Sequence, residues 1–343
     1  MNAGKKKGHL LCTATVIVAA LLGLVWALGR LVMPKYASGI TEGALIGSYY
    51  EAKEPHDVIV LGDCEAYEAI SPLVLFRDYG VSSFVRGTAQ QLIWQSECIL
   101  EETLSYETPR AVVLTVCGLK YGEPQKEAYN RMTLDGMRLS RYKIKGALAG
   151  MTKEENLLSY LFPLLRYHER ITELTKEDFT YFFSRPDIGY NGFLPQTAVK
   201  PYTWLPTDTG TAEDLPDNCM QILTEMALLC REKGIALILV KSPCLFPYWY
   251  ERWDNQLTAF AEEYGAVYLN ANDFEAETGI DWSTDTSDGG AHLNIYGAEK
   301  YTRWLYEKAL AALSLPDRRT ESDTAAVYAA LTEKYNREIA GED

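Results

Sequence analysis

Val58-Ile59-Val60-Leu61-Gly62-Asp63-Cys64-Glu65 is a short apolar run, mostly β-branched, that stops at a small acidic turn carrying a thiol. A run of this length without polar alternation reads as a strand covered on both faces, here residues 57–61. Similar runs recur at 83–86, 111–116, 235–240 and 266–269. Segments with helical spacing separate or follow them at 72–79, 90–105, 250–264 and 293–313. Buried strands alternating with helices predict a flavodoxin-like, doubly wound α/β sandwich: three layers around a five-stranded parallel sheet. Ligands of such sheets gather at the carboxyl ends of the strands. Cys64 follows the first strand, Gly87 the second and Gly118 the third.

The second informative stretch is Asp288-Gly289-Gly290-Ala291-His292-Leu293-Asn294, just before the closing helical pattern. Its two glycines let the loop curl so that the carboxylate can meet one ring nitrogen, leaving the other to face a nucleophile. Cys64, His292 and Asp288 together are the minimum equipment for acyl transfer. A thiol between strand and helix meets unpaired backbone N–H groups, which favour a thiolate and a developing oxyanion. The Cys64 N–H and the Gly87 N–H are the candidate oxyanion donors. Each residue also has a plainer reading: a buried turn cysteine, a helix-capping histidine, a loop acid, a turn glycine. Asp63, Gln90, Lys120 and Trp249 are weaker candidates for substrate contact. Trp249 belongs to an aromatic stretch, residues 246–253, whose flat faces suit sugar rings or else pack inward. Lys241 and Ser242 end the fourth strand, and nothing in the sequence selects either.

These blocks resemble the SGNH/GDSL hydrolase superfamily. Gly62-Asp63-Cys64 is similar to its Gly-Asp-Ser block, Gly87 to its oxyanion glycine, and Asp288 with His292 to its C-terminal Asp-x-x-His block with one extra residue. The run Asp288-Gly-Gly-Ala-His292-Leu-Asn294-x-x-Gly297-Ala298-x-Lys300 also resembles membrane-anchored bacterial members related to alginate O-acetyltransferases and D-alanyl-lipoteichoic acid proteins. The resemblance spans 57–118 and 219–313. It implies an esterase or O-acyltransferase acting on acyl esters of a cell-envelope glycan, with no metal or other cofactor. A membrane-bound acyltransferase would be a fitting partner. Two departures stand out. Cys64 replaces the usual serine, and Cys117-Gly118-Leu119-Lys120 stands where the family has Gly-x-Asn-Asp. The third oxyanion donor is therefore open among Lys120, Tyr121 and Asn130. The altered nucleophile also keeps alive a silent envelope protein that binds glycan or a membrane partner. A thiol peptidase is a third idea, without a motif of its own.

The rest of the chain sets address and organisation. Lys5, Lys6 and Lys7 precede an apolar stretch from Leu10 to Met33, long enough to cross a bilayer. No small-x-small cleavage pattern follows it. The expectation is an uncleaved signal anchor with a cytoplasmic N-terminus and an extracytoplasmic body. A net charge of −14 argues against nucleic acid as a partner. Seven cysteines show no metal-ligand spacing and read mostly as small core residues. The expected organisation is an anchor at 1–33, a polar stalk at 34–55, and the SGNH-like domain at 56–315. Within the domain, 119–215 is a helical and loop insertion forming a lid or one wall of the cleft. A C-terminal surface helix and tail follow at 316–343.

Overall fold

The computed structural model describes residues 2–202 and 212–341. The last part of the segment read as loop-like, 203–211, lies outside them. Five strands form one sheet: β1 (Val58–Gly62), β2 (Ser83–Gly87), β3 (Ala111–Thr115), β4 (Ala236–Lys241) and β5 (Val267–Asn270). All four pairings are parallel and the order is β2-β1-β3-β4-β5, the flavodoxin-like arrangement. The principal helices are α1 (Asn2–Val32), α2 (Cys64–Tyr67), α3 (Pro72–Tyr79), α4 (Ile93–Thr103), α5 (Glu127–Gly136), α6 (Arg141–Gly150), α7 (Asp217–Lys233), α8 (Glu251–Tyr264), α9 (Ile295–Leu305) and α10 (Ser322–Ala340).

Side chains alternate across the pleat, so each apolar strand feeds two cores. Ile59, Leu61, Val112 and Leu114 pack with Ile99 of α4, Met226 of α7 and Leu257 of α8. Val58, Val60, Val113 and Val240 face the other way, onto Leu75 of α3 and Tyr301 and Leu305 of α9. Burial on both faces explains why the strands read as unbroken apolar runs. Helix α4 starts later than its apolar spacing suggests. Gln90 adopts φ of 50°, outside the helical region, and the Gln95 side chain then accepts from the Leu92 N–H at 2.7 Å to open the helix. The helical pattern of 293–313 holds through Leu305 and then widens into a π turn at Tyr306–Leu310.

Residues 34–55 differ from the expected polar stalk. They fold onto the body through short helical turns at Thr41–Ala44, Leu45–Ser48 and Tyr49–Glu51. Leu45 and Ile46 are fully buried, one in each of the two main cores. Their transfer from water outweighs the polar letters around them.

Helix α10 lies on α3, where Tyr328 stacks on Phe76 with ring centroids 3.9 Å apart. The buried Tyr328 hydroxyl accepts from the Ser83 N–H at 2.8 Å, which ties the tail to the first residue of β2.

Ahead of α7, the long connection from β3 to β4 has a helical part and an extended part. Its helical part, through Thr180, packs around residues 34–55 and the end of α1. Its extended part runs beside the carboxyl edge of the sheet. There the Val85 N–H donates to Asn191 O, the Leu194 N–H to Tyr67 O, and the Ile295 N–H to Gln196 O.

Helix α1 contains one segment, Leu11–Val32, long and apolar enough to span a membrane. Its last turn is fixed to the body. Lys35 Nζ donates to the carbonyls of Arg30, Leu31 and Met33 at 2.7, 3.2 and 2.6 Å, satisfying the open end of the helix. Val32 and Met33 are buried with Tyr167.

Candidate active site

The turn after β1 is possible only because residue 62 is glycine. Its φ is +138°, and a Cβ there would lie 1.9 Å from Thr115 Oγ1. Asp63 then caps α2: its Oδ1 accepts from the Glu65 N–H at 3.1 Å and from Thr115 Oγ1 at 3.4 Å. Cys64 is the first residue of that helix.

Beneath it lies a buried ion pair. Lys241 Nζ, at the end of β4, is 2.6 Å from Glu65 Oε1 and also donates to Ser242 O at 2.9 Å. Glu65 Oε2 accepts from the Ser242 N–H at 3.3 Å, and Ser242 Oγ donates to Glu65 O at 3.1 Å. Lys241 and Ser242 are thus committed to holding the turn and face no ligand. A fully buried lysine needs a carboxylate, and Glu65 supplies it.

The histidine loop is pinned by Thr286. Its hydroxyl accepts from the Gly290 N–H at 2.7 Å and donates to His292 O at 3.0 Å. Gly289 and Gly290 take φ of 84° and 102°, conformations that glycine adopts without strain. Asn294 then caps α9, its Oδ1 accepting from the N–H groups of Tyr296 and Gly297 at 3.1 and 3.2 Å. Gly297 is required by close approach, since a Cβ would lie 2.6 Å from Asp285 O.

The two ends meet. Cys64 Sγ lies 2.9 Å from His292 Nε2, and His292 Nδ1 lies 2.6 Å from Asp288 Oδ2. The other Asp288 oxygen accepts from the His292 N–H at 2.9 Å, so the carboxylate holds ring and backbone together. A second carboxylate, Glu68, approaches to 4.0 Å from Nδ1. It stands one helical turn beyond Cys64, a spacing visible in the sequence but not read from it.

The electrostatics are acidic. Burial, then Asp63, Glu65 and Glu68, push the Cys64 thiol well up. Burial alone would lower His292, but Asp288 and Glu68 outweigh it and raise the ring to about 9. Both shifts have one cause: an excess of carboxylates around the pair favours a cation and opposes an anion.

The remaining candidates are dispersed. A Cβ on Gly87 would fall 3.5 Å from both Asp63 O and the Ala66 Cβ, so Gly87 lies against the Cys64 turn. Asp63 points inward as a cap, and burial together with Glu65 pushes it up to about 6. Gln90 is exposed at the end of the β2 loop. Lys120 Nζ donates to Cys117 Sγ at 3.2 Å. Asn130 is bound into the interior, with Gln95 donating to it at 2.8 Å and its own amide donating to the Tyr160 hydroxyl at 2.7 Å. It is therefore excluded as the third donor.

Trp249 is buried, with its indole N–H 3.0 Å from Asp254 Oδ1 and 3.1 Å from the Tyr268 hydroxyl. Its face lines a cavity of about 680 Å³ beyond β4 and β5, shared with Tyr248 and Trp282. Leu245 lines the same cavity, and its N–H donates to Gly290 O at 2.7 Å, beside the histidine loop.

No family model matches the chain, and no curated protein matches it. Among solved structures, a Bacteroides fragilis NCTC 9343 protein described as a "putative acylhydrolase" aligns over 82% of this chain and 100% of its own, at 11% identity and a TM-score of 0.38. A likeness that weak adds nothing to the architecture, which stands on the sheet itself.

Proposed function

We propose that the chain is a membrane-tethered acyl-ester hydrolase or O-acyltransferase of the SGNH type, working through Cys64, His292 and Asp288. The observation that carries this reading is the unbroken chain of contacts from the Cys64 sulfur through the imidazole to the carboxylate. With the ring proton on Nδ1 and donated to Asp288, Nε2 offers its lone pair to the thiol. Attack of Sγ on an ester carbonyl carbon passes the thiol proton to Nε2 and forms a tetrahedral oxyanion. The N–H groups of Cys64 and Gly87 are the nearest candidates to bind it. Collapse expels the alcohol, which leaves with the proton from Nε2, and a thioester remains. Water or an acceptor hydroxyl, deprotonated by the same nitrogen, then releases the acyl group as acid or new ester. Because the surroundings oppose a standing thiolate, proton removal accompanies attack instead of preceding it.

The membrane-spanning segment supports work at a cell envelope, with the body outside. The resemblance of the two sequence blocks implies acyl esters of an envelope glycan as substrate and a membrane-bound acyltransferase as the donor's source. The Trp249 cavity would seat sugar rings. A second reading has an observation of its own. The carboxylates that crowd Cys64 are a poor setting for a thiol nucleophile, as a site retained only for binding would permit.

One experiment separates the two. Cys64→Ser in the full chain should be labelled by a fluorophosphonate, and Cys64→Ser with His292→Ala should not. Failure of both to label, with both folded, rejects the catalytic reading and leaves the binding protein.

A further inference from the structure

Helix α1 does not leave the body cleanly. Between its last turns and the helical part of the β3–β4 connection lies a groove of about 430 Å³. One wall is α1 itself, with Trp26 and Met33. The rim carries Leu139, Phe162 and Phe183, which are 70%, 43% and 85% exposed. Large apolar side chains are costly to leave in water in such a group. Since the groove continues the surface of a membrane-spanning helix, whatever fills it must mix with lipid.

The groove also holds four cations: Arg30, Arg138, Lys143 and Arg185. This is a dense positive cluster in a chain of net charge −14. Among the described residues none of the four makes an ion pair within 4.0 Å. Arg30 Nε is satisfied by a carbonyl, Phe182 O, at 2.7 Å. Arg138 and Arg185 lie over the Tyr50 ring at 4.4 and 5.7 Å from its centroid. Lys143 is 5% exposed, and the main opposing charge it feels is Asp135. The one carboxylate in the lining, Asp135, accepts from the Tyr167 hydroxyl at 2.5 Å through Oδ2 and lies 3.6 Å from Arg131 through Oδ1. Arg185 feels Arg30 and Arg138 as like charges, offset in part by Tyr50 and Glu51. Four cations without an ion pair, lining a groove with a single carboxylate, leave the site short of negative charge.

We propose that this groove binds one anionic phospholipid, its phosphate among Arg30, Arg138, Lys143 and Arg185 and an acyl chain along Trp26 and Phe162. The cations stand at the end of the spanning helix, at headgroup level, and the apolar wall runs from them toward the bilayer. A free phosphate would satisfy the charges but leave Leu139, Phe162 and Phe183 wet. A lipid satisfies both. The site is independent of the chemistry at Cys64.

The test is native mass spectrometry of the full chain, released from micelles containing equal phosphatidylglycerol and phosphatidylcholine. One retained phosphatidylglycerol per chain is expected, undisplaced by inorganic phosphate or glycerol phosphate. Arg185→Gln and Arg138→Gln, both at partly open positions, should each lower retention about fivefold. Lys143→Gln should do so more strongly, and a thermal melt checks that it folds. Fluorophosphonate labelling of Cys64→Ser should be unchanged by these substitutions, which separates failure here from failure at the catalytic site. Equal retention of both lipids, retention unaffected by the arginine variants, displacement by free phosphate, or a dimer mass with no lipid would each overturn the proposal.

Discussion

His292 and Cys64 face each other in a field that favours protons on both. The ring takes up a proton until about pH 9, so a neutral base becomes available only as pH rises toward that value. Alkylation of Cys64 by iodoacetamide, followed by peptide mapping, should therefore climb through about pH 9 and show no plateau at neutrality. Asp288→Asn removes a carboxylate that raises the ring, so the midpoint should move down toward the ordinary 6.5. A profile flat from acid to alkali would contradict this account of the pair. The same shifts bear on stability. A raised His292 stabilises the fold below its unfolded pKa of about 6.5, and that contribution fades as pH climbs through about 9. Glu68, held up to about 7 chiefly by burial, and Asp63, held up to about 6, act in the same direction, because each must ionise inside the protein. The melting temperature should accordingly fall between mildly acid and alkaline pH, as read by circular dichroism.

Helix α2 and the end of β4 meet beneath the candidate nucleophile through Glu65 and Lys241, and this pair is where element-scale stability can be tested. Lys241→Met leaves a carboxylate buried without its cation and should cost about 3–5 kcal/mol in denaturant unfolding. Lys241→Met with Glu65→Leu should recover much of that loss, because the desolvation penalty of both charges disappears. The five strands were legible in the sequence because burial on both faces leaves unbroken β-branched runs. The histidine loop drew notice because two glycines between a carboxylate and an imidazole let the loop curl, although a loop acid and a helix-capping histidine would read the same. The Glu65–Lys241 pair was not, since a lysine at a strand end looks the same whether it turns outward or inward. Residues 34–55 misled for a related reason: Ala44, Leu45, Ile46 and Tyr49 are a short buried cluster among polar letters, too brief to show a period. Helices α5 and α6 were passed over as parts of an undivided insertion. Their apolar faces meet α4 and residues 41–48, partners remote in sequence.

At the scale of the whole molecule, the anchor, residues 34–55 and the β3–β4 connection form one packed assembly. A chain lacking residues 2–28 should still float with anionic vesicles, since Leu139, Phe162 and Phe183 remain exposed at its base. Loss of flotation would mean that α1 alone holds the protein to the bilayer. The fastening of α1 to the body, by Arg30 on Phe182 O, Arg170 on Val32 O and Lys35 beside Asp178, has a further consequence. Were α1 to cross a bilayer, a flexible leash would let the cleft sample every altitude above the lipid, whereas a bolted mast would hold it at one height and one tilt. The protein would then act as a ruler. Whatever it engages would be chosen partly by how far from the bilayer it stands, and lengthening the join after residue 33 would change which position along an envelope polymer is reached.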